Sequence, residues 1–155
     1  MHRSDRLASA TLLEPGGATF GKPDWRVLLE FLAAGIRPTP ERMRKLNRWL
    51  MPRYDMDDES FAMAQAAAKF KPGMPWERTL TDDELAEISA PMFVLFGAET
   101  VANDPEIGAA RARRHIPSAQ VEIMPDIGHD LLWANADDVI PRFLAFVASH
   151  DQVEA

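Results

Sequence analysis

The chain has no cysteine among its 155 residues, which excludes disulfide bridges, thiolate catalysis and thiolate metal sites. That absence is allowed in every compartment and leans only slightly towards the cytoplasm, which is the expected location. Long apolar runs are missing too. No stretch approaches the roughly 20 residues of a spanning helix, so no membrane span is expected. The first residues, Met1-His2-Arg3-Ser4-Asp5-Arg6, are polar and lack the apolar core of a secretory signal. Positive charge is in deficit, with 17 Lys and Arg against 24 Asp and Glu and a net charge of −7. A nucleic-acid backbone is therefore not an expected partner. The densest basic stretch, Arg42 to Arg53, reads as the solvated face of an amphipathic helix. Pro15-Gly16-Gly17 is not followed by Gly-Lys-Ser/Thr, so it is no phosphate loop. Three acidic clusters, Asp57-Asp58-Glu59, Asp82-Asp83-Glu84 and Asp137-Asp138, each precede a helical pattern. They complement helix N-termini there, and neither a metal nor a cofactor is expected.

What is present is a chain of one-domain length with 46% hydrophobic residues and no low-complexity tract. Ala8 to Glu14 is an apolar run closed by Pro15-Gly16-Gly17, which reads as a buried strand. Three helices follow with no strand between them. The first carries Trp25, Leu28, Leu29 and Leu32 on one face, with Gly35 as its stop. The second runs from about Pro40 to Pro52 with Met43, Leu46, Trp49 and Leu50. The third runs from about Asp57 to Lys71 with Phe61, Ala64, Ala68 and Phe70. Thr81-Asp82-Asp83-Glu84 has the spacing of a capping box, so a short helix to about Ile88 is expected.

The second half changes character. Met92-Phe93-Val94-Leu95-Phe96 lies between Pro91 and Gly97 and reads as a strand buried on both faces. Pro105 to His115 reads as a helix, Gln120 to Met124 as a third strand, and Val139, Ile140, Phe143 and Val147 as one face of a last helix. Strands alternating with helices imply parallel pairing. In such sheets, ligands meet the loops that leave the carboxyl ends of the strands. Those loops follow Glu14, Phe96 and Met124. The third contains Gly128-His129, a histidine placed for proton transfer at the sheet edge. His115 sits at a helix end, where it complements the dipole.

These pieces together resemble the C-terminal region of the α/β-hydrolase family. "ISAPMFVLFGAE" resembles the strand that precedes the family's catalytic acid. "ARRHIPSAQVEIMPDIGH" resembles the helix, strand and catalytic Gly-His that follow, and "DDVIPRFLAFVAS" resembles the closing helix. "DRLASATLLEPGG" resembles the strand after the nucleophile's strand and helix, and the helices from Pro23 to Lys71 resemble the family's cap. The resemblance covers most of residues 5–149. It implies one partial α/β domain over 1–155: a three-stranded, mostly parallel sheet with flanking helices and a helical cap inserted over 22–75.

The resemblance also implies a site. His129 is the catalytic base, and an acid orients it. The family's usual place for that acid falls on Thr100, which holds no charge, so the candidates are Asp104 first, then Glu99, then Glu14 in the loop before the cap. Trp25, Trp49 and Phe61 of the cap, with Phe31 and Met63, are expected to line a lipophilic pocket for a small, mostly apolar ester-like substrate. The nucleophile is the departure. The family carries it on a G-x-S-x-G elbow upstream of the acid and histidine, and none of Ser4, Ser9, Ser60, Ser89, Ser118 or Ser149 has that setting. The expectation is a hydrolase part that is inactive alone, complemented by an N-terminal half or paired as a homodimer through strand 8–14. The alternative is a non-catalytic remnant that binds a small molecule or a partner chain through its cap and open sheet edge.

Overall fold

Each of the three apolar runs expected as strands becomes one, in a computed structural model that describes residues 6–21, 24–36, 38–67 and 79–150. β1 (Ala10–Leu13), β2 (Met92–Gly97) and β3 (Ala119–Met124) lie side by side in the order β1-β2-β3, and both pairs are parallel. β2 is buried along its whole length. Its residues divide between two cores by the period-2 alternation of a strand. Met92, Val94 and Phe96 pack with Phe20, Leu85, Ala109, Ala112 and Ile116 on one face. Phe93 and Leu95 pack with Met124, Ile127, Leu131, Val139 and Phe146 on the other. The unbroken run of apolar residues between Pro91 and Gly97 is thus explained by cover on both sides, each fully buried side chain adding about 2 kcal/mol.

The helices are α1 (Gly17–Phe20), α2 (Trp25–Ile36), α3 (Pro40–Leu50), α4 (Asp58–Ala67), α5 (Asp82–Ala86), α6 (Pro105–His115), α7 (Leu131–Ala134) and α8 (Ala136–His150). α1, α5 and α6 cover one face of the sheet, and α7 and α8 the other. Local chemistry sets several of the ends. Thr39 caps α3 with Pro40 in its first turn. Thr81 and Glu84 form both bonds of the expected capping box on α5. Asp57 receives the Ser60 amide at 2.7 Å ahead of α4. That bond holds the Asp57 carboxyl below the ordinary range. Residues 68–71, expected to complete the third helix, and the end of the expected cap lie outside the described residues.

α2, α3 and α4 follow one another as expected, each packed on the next. One expectation for α2 needs correcting: Gly35 does not stop the helix, which continues to Ile36. The face carrying Trp25, Leu28, Leu29 and Leu32 is uncovered among the described residues. These side chains are 51–64% exposed, and Ala34 is the buried residue of the helix. Periodicity identifies an amphipathic helix, but not what its apolar side meets.

Candidate active site at the carboxyl edge of the sheet

Parallel pairing brings the three strand exits to one edge. The register sets Leu13 beside Leu95 and Gly97 beside Met124, so Glu14 emerges next to the end of β2. Its amide bonds the Leu95 carbonyl at 2.9 Å. There the backbone turns into the left-handed region, with φ 48° at Glu14, a conformation that disfavours any residue with a Cβ. The turn carries the carboxylate inward until the residue is only 8% exposed. Both oxygens find donors. Oε1 accepts the Gly97 amide at 2.5 Å, and Oε2 lies 2.9 Å from His129 Nδ1.

His129 is held by equally local features. The loop after β3 turns at Asp126, which also has a positive φ of 56°. It then packs against the exit of β2: the Ala98 amide bonds Met124 O at 2.8 Å, and the Glu99 amide bonds Ile127 O at 2.9 Å. The fit depends on Gly97. A Cβ there would lie 2.6 Å from the carbonyl oxygens of both Ile127 and Gly128. The glycine that ends the apolar run is therefore the space into which the histidine loop fits, and its N–H fixes the acid.

With Oε2 of Glu14 accepting from Nδ1–H, Nε2 is the nitrogen free to take or give a proton outside the pair. The His129 side chain is 25% exposed, against 5% for that of Glu14. This is a sheltered acid behind a reachable base. A cleft of about 290 Å³ lined by Pro15, Phe20, Phe96, Asn103, Asp104 and Ile107 lies near this edge, but neither Glu14 nor His129 lines it.

Of the carboxylates considered for His129, the structure brings Glu14 to the ring and directs the others elsewhere. Asp104 caps α6, accepting the Ile107 amide at 3.0 Å. Glu99 pairs with the Arg53 guanidinium. Thr100, at the family's usual acid position, is buried and accepts the Ala102 amide at 3.3 Å. The three expected substrate-contacting rings lie on three helices. Trp25 is exposed on α2, Trp49 is half-buried on α3, and Phe61 is buried on α4 beneath the Arg44 guanidinium, 3.9 Å from the ring centre.

Three of the serines lie at the opposite edge of the sheet. Ser9, Ser89 and Ser118 precede β1, β2 and β3, and so lie at the amino edge of a parallel sheet. Ser118 donates to Ala90 O and Ser149 to Phe146 O, while Ser60 accepts from the Tyr54 hydroxyl. Ser4 lies outside the described residues. Nor do the described residues contain a cluster of three or more His, Asp or Glu able to hold a metal ion.

Sequence reasoning missed three neighbours of the histidine loop. Asp130 is fully buried and receives the Arg53 amide at 2.6 Å. The Arg53 guanidinium bonds Glu99. That bond, with the negative charges of Glu99, Asp130 and Asp126, raises its pKa despite some desolvation. Tyr54 lies against Trp133, with ring centres 6.0 Å apart. Arg53 had the look of one more charge on a solvated stretch, and Asp130 of a polar loop residue. The available signal was an acidic residue directly after Gly-His.

No family model matches the chain. It is 36% identical over 70 residues to a Synechocystis protein named "Putative non-heme chloroperoxidase", an alignment spanning 44% of this chain and 25% of that one. Among solved structures it is similar to the naproxen esterase (carboxylesterase NP) of Bacillus subtilis, with TM-score 0.78, 22% identity, and coverage of 91% of this chain and 51% of the other. It is also similar to a meta-cleavage product hydrolase of Pseudomonas fluorescens, with TM-score 0.70, 17% identity, and coverage of 95% and 58%. The chain spans about half the length of the solved structures it matches. These likenesses show the fold: three parallel strands with flanking helices, a partial α/β-hydrolase fold.

Proposed function

From a chain with the α/β-hydrolase fold and a buried carboxylate set against His129, we propose that it supplies the acid–histidine part of a serine-hydrolase-type active site. The observation that carries this reading is the 2.9 Å contact between His129 Nδ1 and Glu14 Oε2 at the carboxyl edge of the sheet. In the proposed reaction, Nε2 removes the proton of a serine hydroxyl as that oxygen attacks an ester carbonyl. Glu14 stabilises the imidazolium that forms. The same nitrogen then returns the proton to the leaving alcohol. The nucleophile and the oxyanion donors come from sequence outside these 155 residues, in the same polypeptide or in a second one. β1 pairs only with β2 among the described strands, so its outer edge is where that part joins. The substrate we propose is a small, mostly apolar ester-like molecule, as the resemblance of the helices after β1 to the family's cap implies.

The test uses the native polypeptide that carries this chain, isolated from its cells. It is assayed on p-nitrophenyl acetate and butyrate and labelled with a fluorophosphonate. His129→Ala is expected to lower kcat at least about a thousandfold with little change in KM. Glu14→Gln should lower it about a hundredfold or more. Hydrolysis that survives both changes rules out this assignment.

A second reading rests on α2. Its apolar face, with Trp25, Leu28, Leu29 and Leu32 each more than half exposed, is of the kind that marks interaction sites. In that reading the chain is a non-catalytic binding module using its cap and open sheet edge. It is favoured if the native polypeptide neither takes the phosphonate label nor turns over either ester.

A further inference from the structure

The connection between α3 and α4 meets the histidine loop and its neighbours at three points, and one of them is a buried carboxyl group. Asp130 follows His129 directly and is 0% exposed. Its Oδ2 accepts the backbone N–H of Arg53 at 2.6 Å, across 77 residues of sequence. It gives no side-chain cap to α7, although it occupies the N-cap position. Helix capping, the ordinary reason for an aspartate at that place, therefore does not explain it. The second point is the ion pair of the Arg53 guanidinium with Glu99, in the loop whose amide bonds Ile127 O. The third is Tyr54 against Trp133, on the one-turn helix that Asp130 begins.

We infer that Asp130 is a positioning residue for His129, latching the histidine loop to the Arg53–Tyr54 connection so that the ring stays on Glu14. Ile127 and Leu131 hold the loop to the core, and the Asp130 bond ties it to the α3–α4 connection. Asp126 carries the backbone through a positive φ, and the Ile127 carbonyl accepts the Glu99 amide from the β2 exit. A buried carboxylate bonded to a main-chain N–H is a strong, directional tie in a low-dielectric setting. Because the donor belongs to the backbone, the tie is indifferent to which side chain occupies position 53. It also makes the placement of the histidine depend on the placement of the cap. A cap that shifts at the α3–α4 connection pulls on Asp130, and the His129–Glu14 distance responds.

The inference rests on the proposed role of His129, but its test does not need turnover. The imidazole Nδ1–H of a histidine bonded to a carboxylate gives a far-downfield proton resonance that exchanges slowly with water. In the native polypeptide that carries this chain this signal is expected, and Glu14→Gln should move or abolish it. If it is absent, or unaffected by that change, the acid–histidine reading itself fails. Given the signal, Asp130→Ala is expected to speed its exchange roughly ten- to hundredfold, the equivalent of one charge-assisted hydrogen bond. Asp130→Asn retains an acceptor for the Arg53 amide and should restore slow exchange. An Asp130→Ala protein with unchanged exchange overturns the latch. Should that variant fail to fold, hydrogen exchange of the Arg53 amide in the unaltered chain decides the matter. Protection well above that of solvent-facing loop amides supports the latch, and exchange as fast as theirs overturns it.

Discussion

Adding one methyl group at Gly97 tests the whole construction of the site. In Gly97→Ala the new Cβ would sit 2.6 Å from Gly128 O and 2.6 Å from Ile127 O, about 0.8 Å inside the 3.4 Å at which ordinary contact begins. Both obstacles are main-chain atoms, so no side-chain rotation relieves the clash. Either the end of β2 or the 125–128 loop must move. β2 is buried along its length between two cores, so the loop is the part that yields. The cost is that of overpacking a rigid site, about 3 kcal/mol. For a chain of this size, that lowers Tm by roughly 6–12 °C. The displacement also acts on the acid, because the Gly97 amide is the donor to Glu14 Oε1. The downfield His129 resonance should weaken together with stability. Gly35→Ala is the control: nothing lies within 4 Å of its Cβ position, and its φ is not positive. It should stabilise α2 by about 0.5 kcal/mol and leave the histidine signal alone. The assays are thermal melting by circular dichroism and proton NMR of the same samples. A Gly97→Ala protein that melts with the wild type and keeps the resonance would refute the claim that glycine is required for the close approach of the loop.

Other expectations concern parts of the fold away from the site. Asp82 is held below the ordinary carboxylate range by its hydrogen bond from Arg111, with His115 and Arg114 adding to the effect. A depressed carboxyl contributes stability that is fully present above the unfolded value near pH 3.8 and is lost as pH falls through the lower folded value. Urea titrations from pH 2 to 7 should therefore find Asp82→Asn less stable than wild type near neutrality, with the gap closing at the acid end. A gap independent of pH would contradict the ion-pair account. Thr81→Ala removes one bond of the capping box on α5 and is expected to cost about 1 kcal/mol. The check is the same denaturant assay at neutral pH, with an unchanged midpoint as the adverse result.

Much of the fold could be read from the sequence because the signals were local. Pro91 and Gly97 bracket a run whose length and composition suit a doubly covered strand, and Thr81 and Glu84 stand at the spacing a capping box needs. The Gly-His loop after the third strand was legible for the same reason. The partner of His129 was not. Asp104, Glu99 and Glu14 all lie in loops that leave the carboxyl edge, and spacing cannot rank them. The choice is made by register and by one backbone angle. Leu13 beside Leu95 brings Glu14 to the Gly97 amide, and φ 48° turns its side chain inward. Glutamate is not a residue that announces a left-handed turn. Asp104 is drawn the other way by an ordinary local demand, since Asp-Pro-Glu is a good start for a helix and the structure uses it so. The exposure of the α2 face was not legible for a third reason. Its apolar spacing is a property of the helix alone, and burial is a property of whatever packs beside it.

Glu14 itself carries the argument from stability to function. Its left-handed backbone costs on the order of 1 kcal/mol, and burying a carboxylate adds a desolvation cost that only good partners offset. A fold that needed only a turn after β1 would be served by glycine or asparagine, and one that needed only packing there would be served by an apolar side chain. Neither alternative would present an oxygen to Gly97 N–H and another to His129 Nδ1. The two features that disfavour Glu14 as a structural residue are the same two that aim its carboxylate at the ring. Strain and buried charge of this kind persist where the surrounding structure holds them in place. Here that structure is the end of β2, the Gly97 approach and the Asp130 tie. The acid–histidine pair is therefore better understood as the arrangement these loops are built to hold than as a by-product of their packing.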